Sequence, residues 1–457
     1  MEFRRTVPLI LALALIMQQI DSTAVATALP SIAADFKESV LTLHAIITIY
    51  LLSAGVFLPV SGWTADRFGG RRVFCWAIVT FTLASLLCAL SPTVDILIAA
   101  RALQGMAGAM MVPTARLILV RSVKREELVP AMVMMSMPAV VGPTIGPLLG
   151  GFITSIASWH WIFWINLPIG AAAITLTLLL VDKIPTQHRA SFDFLGFILS
   201  GAGIGATILG LASAARDFGA ASIALVATGL VLLGLYIGHA RRNTNAILDL
   251  TLFRYPTFRA SLSGGSLFRI SMGALPFMLP LLMQQVFHYT PLQSGAITFV
   301  SAFGAFGMRT IAKRILHRFG FRKVLLYNAL IASGSMALCA TFTPDSAPSL
   351  MIMIIMLGGF FRALQFTALN TLAFAQTTEA QMSHANSLAQ MAQRIAQSLG
   401  VAVAALLLQY FSGDTGVLTN RAFEITFAAV GLIAASSCFS FLRLPNGVGD
   451  ELAGRKI

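Results

Sequence analysis

The hydrophobic positions of this chain fall into long, nearly unbroken runs, and polar residues gather in the short stretches between them. A helix crossing a bilayer needs roughly 20 mostly apolar residues. On that measure the sequence predicts about fourteen spans, centred near Ala14, Leu52, Leu83, Ala107, Val141, Ala171, Ile204, Leu232, Leu275, Gly304, Ala332, Phe360, Val401 and Leu432. Lipid offers no partner to a free backbone amide, so runs of this kind predict helices and an all-α polytopic membrane protein.

The loops carry the next signal. With the first end inside, the even-numbered loops hold Arg67, Arg71 and Arg72; Arg121, Lys124 and Arg125; Lys183 and Arg189; Arg241, Arg242, Arg254 and Arg259; and Lys313, Arg314, Arg318, Arg322 and Lys323. The opposite loops hold only Lys37, Arg216 and Arg421, and one even loop, around Glu379, has no Lys or Arg. This asymmetry predicts a multi-pass protein of the cytoplasmic (inner) membrane with both termini cytoplasmic. The stretch from Met1 to Pro30 has the basic start and small-residue end of a secretory leader, but Asp21 and two glutamines interrupt it. It reads as a retained first helix.

Composition adds little to this and removes some alternatives. The chain of 457 residues is 57% hydrophobic and 11% charged, against about 25% charged in soluble domains. A net charge of +13 would otherwise point to nucleic acid. Its confinement to alternate loops points to the lipid bilayer instead, and no nucleic-acid partner is expected. Cys75, Cys88, Cys339 and Cys438 have neither metal nor disulfide spacing. No cofactor, metal or enzyme signature is present, and no Gly-Lys-Ser/Thr loop suggests ATP. An ion gradient is the expected energy source.

An internal repeat supplies the organisation. Arg67-Phe68-Gly69-Gly70-Arg71-Arg72 follows span two, and Arg318-Phe319-Gly320-Phe321-Arg322-Lys323 follows span ten, at an offset of 251 residues (318 minus 67). A six-helix half would give an offset of about 180, from about 30 residues per helix and loop. The surplus fits one inserted helix pair. The expected units are residues 1–183, 184–257 and 258–457: a six-helix half, an inserted pair with its loops, and a second six-helix half. A weaker match of Arg101-Ala102-Leu103-Gln104 with Arg362-Ala363-Leu364-Gln365 has an offset of 261 (362 minus 101) and reads as coincidence.

Asp21 is the one acid well inside an apolar span, which makes it a functional candidate. At 1.5 Å per residue it lies about 21 Å along a core of about 30 Å. Arg101, early in span four, comes out at the same depth, about 9 Å below the outer edge. The two can meet if spans one and four are neighbours. A carboxylate whose cation approaches and withdraws can load and release a proton; a static ion pair is the alternative.

Other motifs surround this pair. Gly62-Trp63-Thr64-Ala65-Asp66-Arg67-Phe68-Gly69-Gly70-Arg71-Arg72 offers glycines for a turn and Asp66 with Arg67, Arg71 and Arg72 for an ion-pair latch. Gly142, Pro143, Gly146, Pro147, Gly150 and Gly151 in span five form a seam for close helix packing. In the second half Arg269, Arg362 and Arg394 lie in apolar spans without an acid. Gln390, Gln393, Arg394 and Gln397 share one helix face. With Gln104, Gln284, Gln365 and Asn370 these are the candidates for a substrate cavity, one suited to neutral or anionic amphiphiles.

The loop motif resembles the signature of the major facilitator superfamily, with Thr64 where a large apolar residue is usual. Arg101-x-x-Gln104-Gly105-x-x-Gly108-Ala109 resembles its fourth-helix motif, whose arginine is implicated in proton transfer. Gly142-Pro143-x-x-Gly146-Pro147-x-x-Gly150-Gly151 resembles its antiporter signature, which belongs to exporters. Asp21-Ser22-Thr23-Ala24-Val25-Ala26-Thr27-Ala28-Leu29-Pro30, the Trp159–Gly170 stretch and Phe192-Asp193-x-x-Gly196 resemble the fourteen-helix drug:proton antiporter branch (EmrB/QacA type), closest to the MdtD-like exporters. Ala26 stands where Asn is usual, and His160 where Arg is common. The resemblance implies two six-helix halves with an inserted pair, and proton-coupled export of small amphipathic compounds, with a periplasmic adaptor as a candidate partner. A dedicated metabolite or siderophore exporter and a non-transporting membrane sensor stay open as alternatives.

Overall fold

The computed structural model describes residues 3–123, 127, 131–132, 134–135, 138–182, 192–214, 219–243, 246–378, 381–413, 417–445 and 447–449. Lys124, Arg125, Lys183, Arg189, Arg216 and Glu379 lie outside the described residues, as does the expected boundary at 183.

The described chain is helical, without a strand. Its first half comprises α1 (Phe3–Phe36), α2 (His44–Phe68), α3 (Gly70–Ala89), α4 (Val94–Ser122), α5 (Pro138–Ile156) and α6 (Trp161–Leu180, interrupted at Ile165). A hairpin of α7 (Phe194–Ala214) and α8 (Ala220–Ala240) follows. The second half comprises α9 (Pro256–Gln285), α10 (Pro291–Phe319), α11 (Phe321–Ala337), α12 (Pro348–Ala373), α13 (Met382–Ser412) and α14 (Asn420–Leu442, bent at Ser437). Thirteen of these are long and apolar enough to cross a membrane among the described residues, and α5 adds the apolar stretch Ile145–Ile156. Large apolar side chains point outward, Trp76 at 70% and Leu179 at 72% exposure. A lipid-facing belt requires this, because lipid tails remove the usual drive to hide such groups.

Local chemistry sets the helix ends. Thr93 caps α4, Thr290 with Gln293 forms a reciprocal cap on α10, and Thr419 caps α14. The helices overrun the apolar runs: α10 continues through Lys313, Arg314 and Arg318, where the fall in hydrophobicity predicts a loop. The expected boundary at 257 falls inside the first turn of α9.

The two halves repeat each other. In the first, α1 packs on α5 and α6, and α4 on α2 and α3; in the second, α9 packs on α13 and α14, and α12 on α10 and α11. The repeated loop is repeated in detail. Gly69 (φ +89°) and Gly320 (φ +76°) each make the turn between two helices, in a backbone region that a side chain disfavours. Arg71 Nη2 then donates to the Leu178 carbonyl at 2.5 Å, and Arg322 Nη2 to that of Leu442 at 3.0 Å, tying the third helix of each half to its sixth. Helices α4 and α12 end at Ser122 and Ala373, again 251 residues apart (373 minus 122). Arg101 and Arg362 are therefore ten residues out of step, and their local match is not part of the repeat.

The hairpin α7–α8 lies against α2 and α13. Phe57 meets Phe197 at 5.4 Å and Trp63 meets Phe192 at 4.8 Å between ring centroids. The halves meet along α2 with α13, α5 with α10 and α1 with α9. Four described hydrogen bonds cross between them: Gln284 to Thr27 O (2.9 Å), Ser398 to Thr48 O (2.9 Å), Leu292 N to Ser155 Oγ (3.1 Å) and Arg394 to Gln19 (3.3 Å). All lie at mid-height or toward the face opposite the basic loops, while toward the basic face Leu58 of α2 shares an apolar cluster with Ala385, Leu388 and Met391 of α13.

Candidate functional site

Asp21 is fully buried at the meeting point of five helices of the first half. Its Oδ2 accepts from Arg101 Nη1 at 2.5 Å. Its Oδ1 accepts from Asn166 Nδ2 at 2.8 Å and Gln104 Nε2 at 3.3 Å. Ser85 Oγ on α3 accepts from the same two amides, at 2.9 and 2.6 Å. The Gln104 carbonyl takes Arg101 Nη1 at 2.8 Å and the Cys88 thiol at 3.4 Å. Every bond to the carboxylate is a donated N–H, the pattern that suits its charged form.

Arg101 is fully buried as well. Its guanidinium lies 4.3 Å over the Tyr50 ring and 5.8 Å from that of Phe163, a contact that favours a desolvated cation. Its Nε reaches Ile46 O at 3.5 Å, and its Nη2 has no acceptor. An unsatisfied buried donor costs about 1–3 kcal/mol, so the pair is well made on one edge and poorly on the other. The close approach of α4 to α2 depends on Gly105, where a Cβ would strike the Tyr50 carbonyl.

The depth estimate placed Asp21 with Arg101, and the structure brings them into contact. Gln104, read as a cavity candidate, stands in the carboxylate's own network. Asn166, Ser85 and Tyr50 were given no role from sequence. Asn166 had one usable signal, an amide inside an apolar span; Ser85 and Tyr50 had none.

The loop motif divides in two. Asp66 pairs with Arg121 at the end of α4, 3.7 Å away, while Arg67 stacks on Trp63 at 5.3 Å. Arg71 reaches α6 as described, and Arg72 lines a groove with Trp76 and Thr64 on the outside of the half. Gly62 sits within α2 in open space, where a Cβ would meet nothing within 4 Å, so neither turn nor contact requires glycine there.

The α5 seam has two faces. A Cβ at Gly142, Gly146 or Gly150 would collide with Gln19, Thr23 or Ala24 of α1, within the same half. Pro147 and Gly151 instead meet Gly295 and Pro291 of α10, across the halves; Pro143 is exposed. The glycine row thus fixes α1, which carries Asp21, and the other row faces the partner half.

The second-half polar residues do not form one cluster. Arg269 is fully buried and donates to Asn370 Oδ1 at 2.9 Å and Ser261 O at 3.2 Å. Gln365, also fully buried, joins α12 to α11 through Asn328 (2.9 Å) and Leu325 O (3.1 Å). Gln284 bonds α9 to α1. Arg362 is half-buried beside Ser335, and Gln390 bonds Asn386 of its own helix at 3.0 Å. Arg394, like Gln284, reaches the other half, through its side chain's contact with Gln19.

The Phe192-Asp193-x-x-Gly196 stretch makes a clamp. Asp193 accepts from Gly196 N–H (3.0 Å), Ile247 N–H (3.1 Å) and His239 Nε2 (2.7 Å), so it ties the start of α7 to the segment leading to α9. Burial opposes its charge, but these three donors outweigh burial and hold its pKa below the usual carboxylate range. No group of His, Cys, Asp and Glu able to hold a metal occurs among the described residues.

Comparison with known proteins agrees with this architecture. Residues 11–237 and 261–455 match the family model of the Major Facilitator Superfamily. The chain is 40% identical over 451 residues, 97% of its length and 95% of the relative's, to the "Putative multidrug resistance protein MdtD" of Escherichia coli strain K12; the Shigella boydii serotype 18 protein of the same name matches equally. A bacterial homologue of the human lysosomal transporter Spinster, in an inward-facing and occupied conformation, superposes with a TM-score of 0.69 at 15% identity, over 100% of this chain and 98% of that one. The POT family transporter PepTSo gives 0.69 at 12% identity, over 96% and 99%. With fold, repeat and family model in agreement, the chain belongs to the Major Facilitator Superfamily, as a multi-pass membrane transporter and not an enzyme.

Proposed function

We propose that this transporter is a proton-driven antiporter that exports small amphipathic compounds from the cytoplasm across the inner membrane, with its basic loops and both termini on the cytoplasmic side. The observation that carries the reading is the Asp21 network: one fully buried carboxylate, one fully buried arginine, and amides that can follow either state of the acid. Protonation removes the charge that holds Arg101, and deprotonation restores it. Removing one partner of a buried pair costs about 3–5 kcal/mol, so the acid's charge and the packing of α1 on α4 and α6 change together.

Helix α1 links this event to the halves. Residues two apart on a helix point about 200° away from each other. Asp21 faces α4 and α6, while Gln19 and Thr27 bond α13 and α9. Release of α1 from Arg101 therefore loosens the helix that fastens the two halves. One charge crossing 100 mV supplies about 2.3 kcal/mol, and each pH unit adds about 1.4 kcal/mol. That is enough to drive outward transport against a gradient of tens-fold or more. The relatives named for multidrug resistance support small-molecule export, and the superfamily's antiporter signature supports its direction.

The test is a pH gradient imposed across proteoliposomes, with proton movement recorded as chemically diverse compounds are added. Substrate-triggered proton flux supports the reading. Silence across the whole panel, with protein shown to be folded and oriented, counts against it.

A further inference from the structure

Near the middle of α13, Arg394 stands on a face of amides, with Gln390, Gln393 and Gln397 beside it, all partly exposed. The stem of the arginine is set against α2, where a Cβ on Gly55 would come within 3.3 Å of the Arg394 Cβ. Its Nη2 crosses to Gln19 Oε1 at 3.3 Å. Gln19 in turn rests on Gly142 of α5, two residues before Asp21. Of the four described bonds between the halves, this one lies nearest the basic face. The other three are closer to the opposite face.

The contact is a poor match for a guanidinium. A neutral acceptor at 3.3 Å exceeds the usual N–H···O length of about 2.9–3.0 Å, and Arg394 forms no ion pair among the described residues. A planar cation with donors to spare, in a membrane-spanning helix and partly open, is suited to a carboxylate, sulfonate or phosphate ester, which it can take through two parallel bonds.

On the antiporter reading, we propose that Arg394 is the headgroup anchor for an anionic amphiphile, and that the anion displaces Gln19 from the guanidinium. Gln390 and Gln393 lie on the same face to bond its remaining oxygens. Because the Gln19 bond joins the halves, occupation of the site removes one of their central ties. Substrate charge is thereby read at the point where the halves must separate.

The test uses two probes of equal chain length, radiolabelled octanesulfonate and octyltrimethylammonium. Binding is measured to purified protein in lipid nanodiscs at one pH on both sides, so coupling plays no part. Wild type should prefer the anion by about tenfold or more, the worth of a charge-assisted bond. Arg394→Gln should lose the preference, and Arg394→Lys should keep part of it. Gln19→Leu should bind octanesulfonate about two- to tenfold more tightly, since the competing internal bond of about 0.5–1.5 kcal/mol is gone. A merely structural arginine would not give that gain. Equal binding of the two probes, preference for the cation, binding of neither, or an unchanged Arg394→Gln of native melting temperature overturns the proposal. A protein that shows the preference but no proton coupling refutes only the antiporter reading.

Discussion

The Asp21–Arg101 pair lends itself to a double-mutant cycle, because both side chains are fully buried and separated by 2.5 Å. Asp21→Asn leaves the guanidinium without a counter-charge, on a cation whose Nη2 already has no acceptor. Arg101→Met leaves the carboxylate with only the amides of Asn166 and Gln104. Each single change should cost about 3–5 kcal/mol, the range for orphaning one member of a buried pair. The double variant, with no uncompensated charge, should cost far less than the sum. A coupling of at least about 2 kcal/mol is expected, against about 0.5 kcal/mol or less for independent sites. Denaturant unfolding of the purified protein in mixed micelles reads all four corners. Additive costs would refute the claim that these two groups stabilise each other as charges, and with it the argument that protonation of one frees the other.

Further tests address separate parts of the structure. Gly105→Leu should force α4 from α2 at the Tyr50 carbonyl, cost about 1–3 kcal/mol and abolish export; a fully active variant would mean that the approach is not needed. Gly69→Ala and Gly320→Ala, both at positive φ, should each lower stability by about 1–3 kcal/mol, while Gly62→Ala should be near neutral in thermal melts. Asp193 is held below the usual carboxylate range, so its clamp should be whole above about pH 4 and be lost as the pH falls through that lowered value. At pH 7, Asp193→Asn should speed tryptic cleavage at Arg241 and Arg242 several-fold; equal rates would show that the clamp does not restrain this segment.

The sequence was most informative where the bilayer constrained it. Apolar run length predicts about fourteen spans, and thirteen helices long and apolar enough to cross a membrane occur among the described residues, because a spanning segment has few ways to satisfy its backbone. Asp21 and Arg101 come out at one height because helix rise converts residue count into depth, and they meet because α1 and α4 are neighbours. What depth cannot supply is azimuth. Gln104 and Gln365 are both amides inside apolar spans, yet one completes the Asp21 network and the other joins α11 to α12. Ser85 carries no signal among the many serines of membrane helices, and it matters only because α3 turns it toward Asn166 and Gln104. Lys313 and Arg314 lie in α10 and not in a loop because a helix does not stop where hydrophobicity does; it stops at Gly320.

The central claim is that Asp21 carries the proton. In proteoliposomes with a fixed pH gradient, substrate accumulation and substrate-evoked proton flux would be recorded together for wild type and Asp21→Asn, with monodispersity and melting behaviour checked for both. The account predicts that the variant loses both signals by more than tenfold while wild type shows them in fixed proportion. Gradient-driven accumulation at wild-type strength in Asp21→Asn would contradict it.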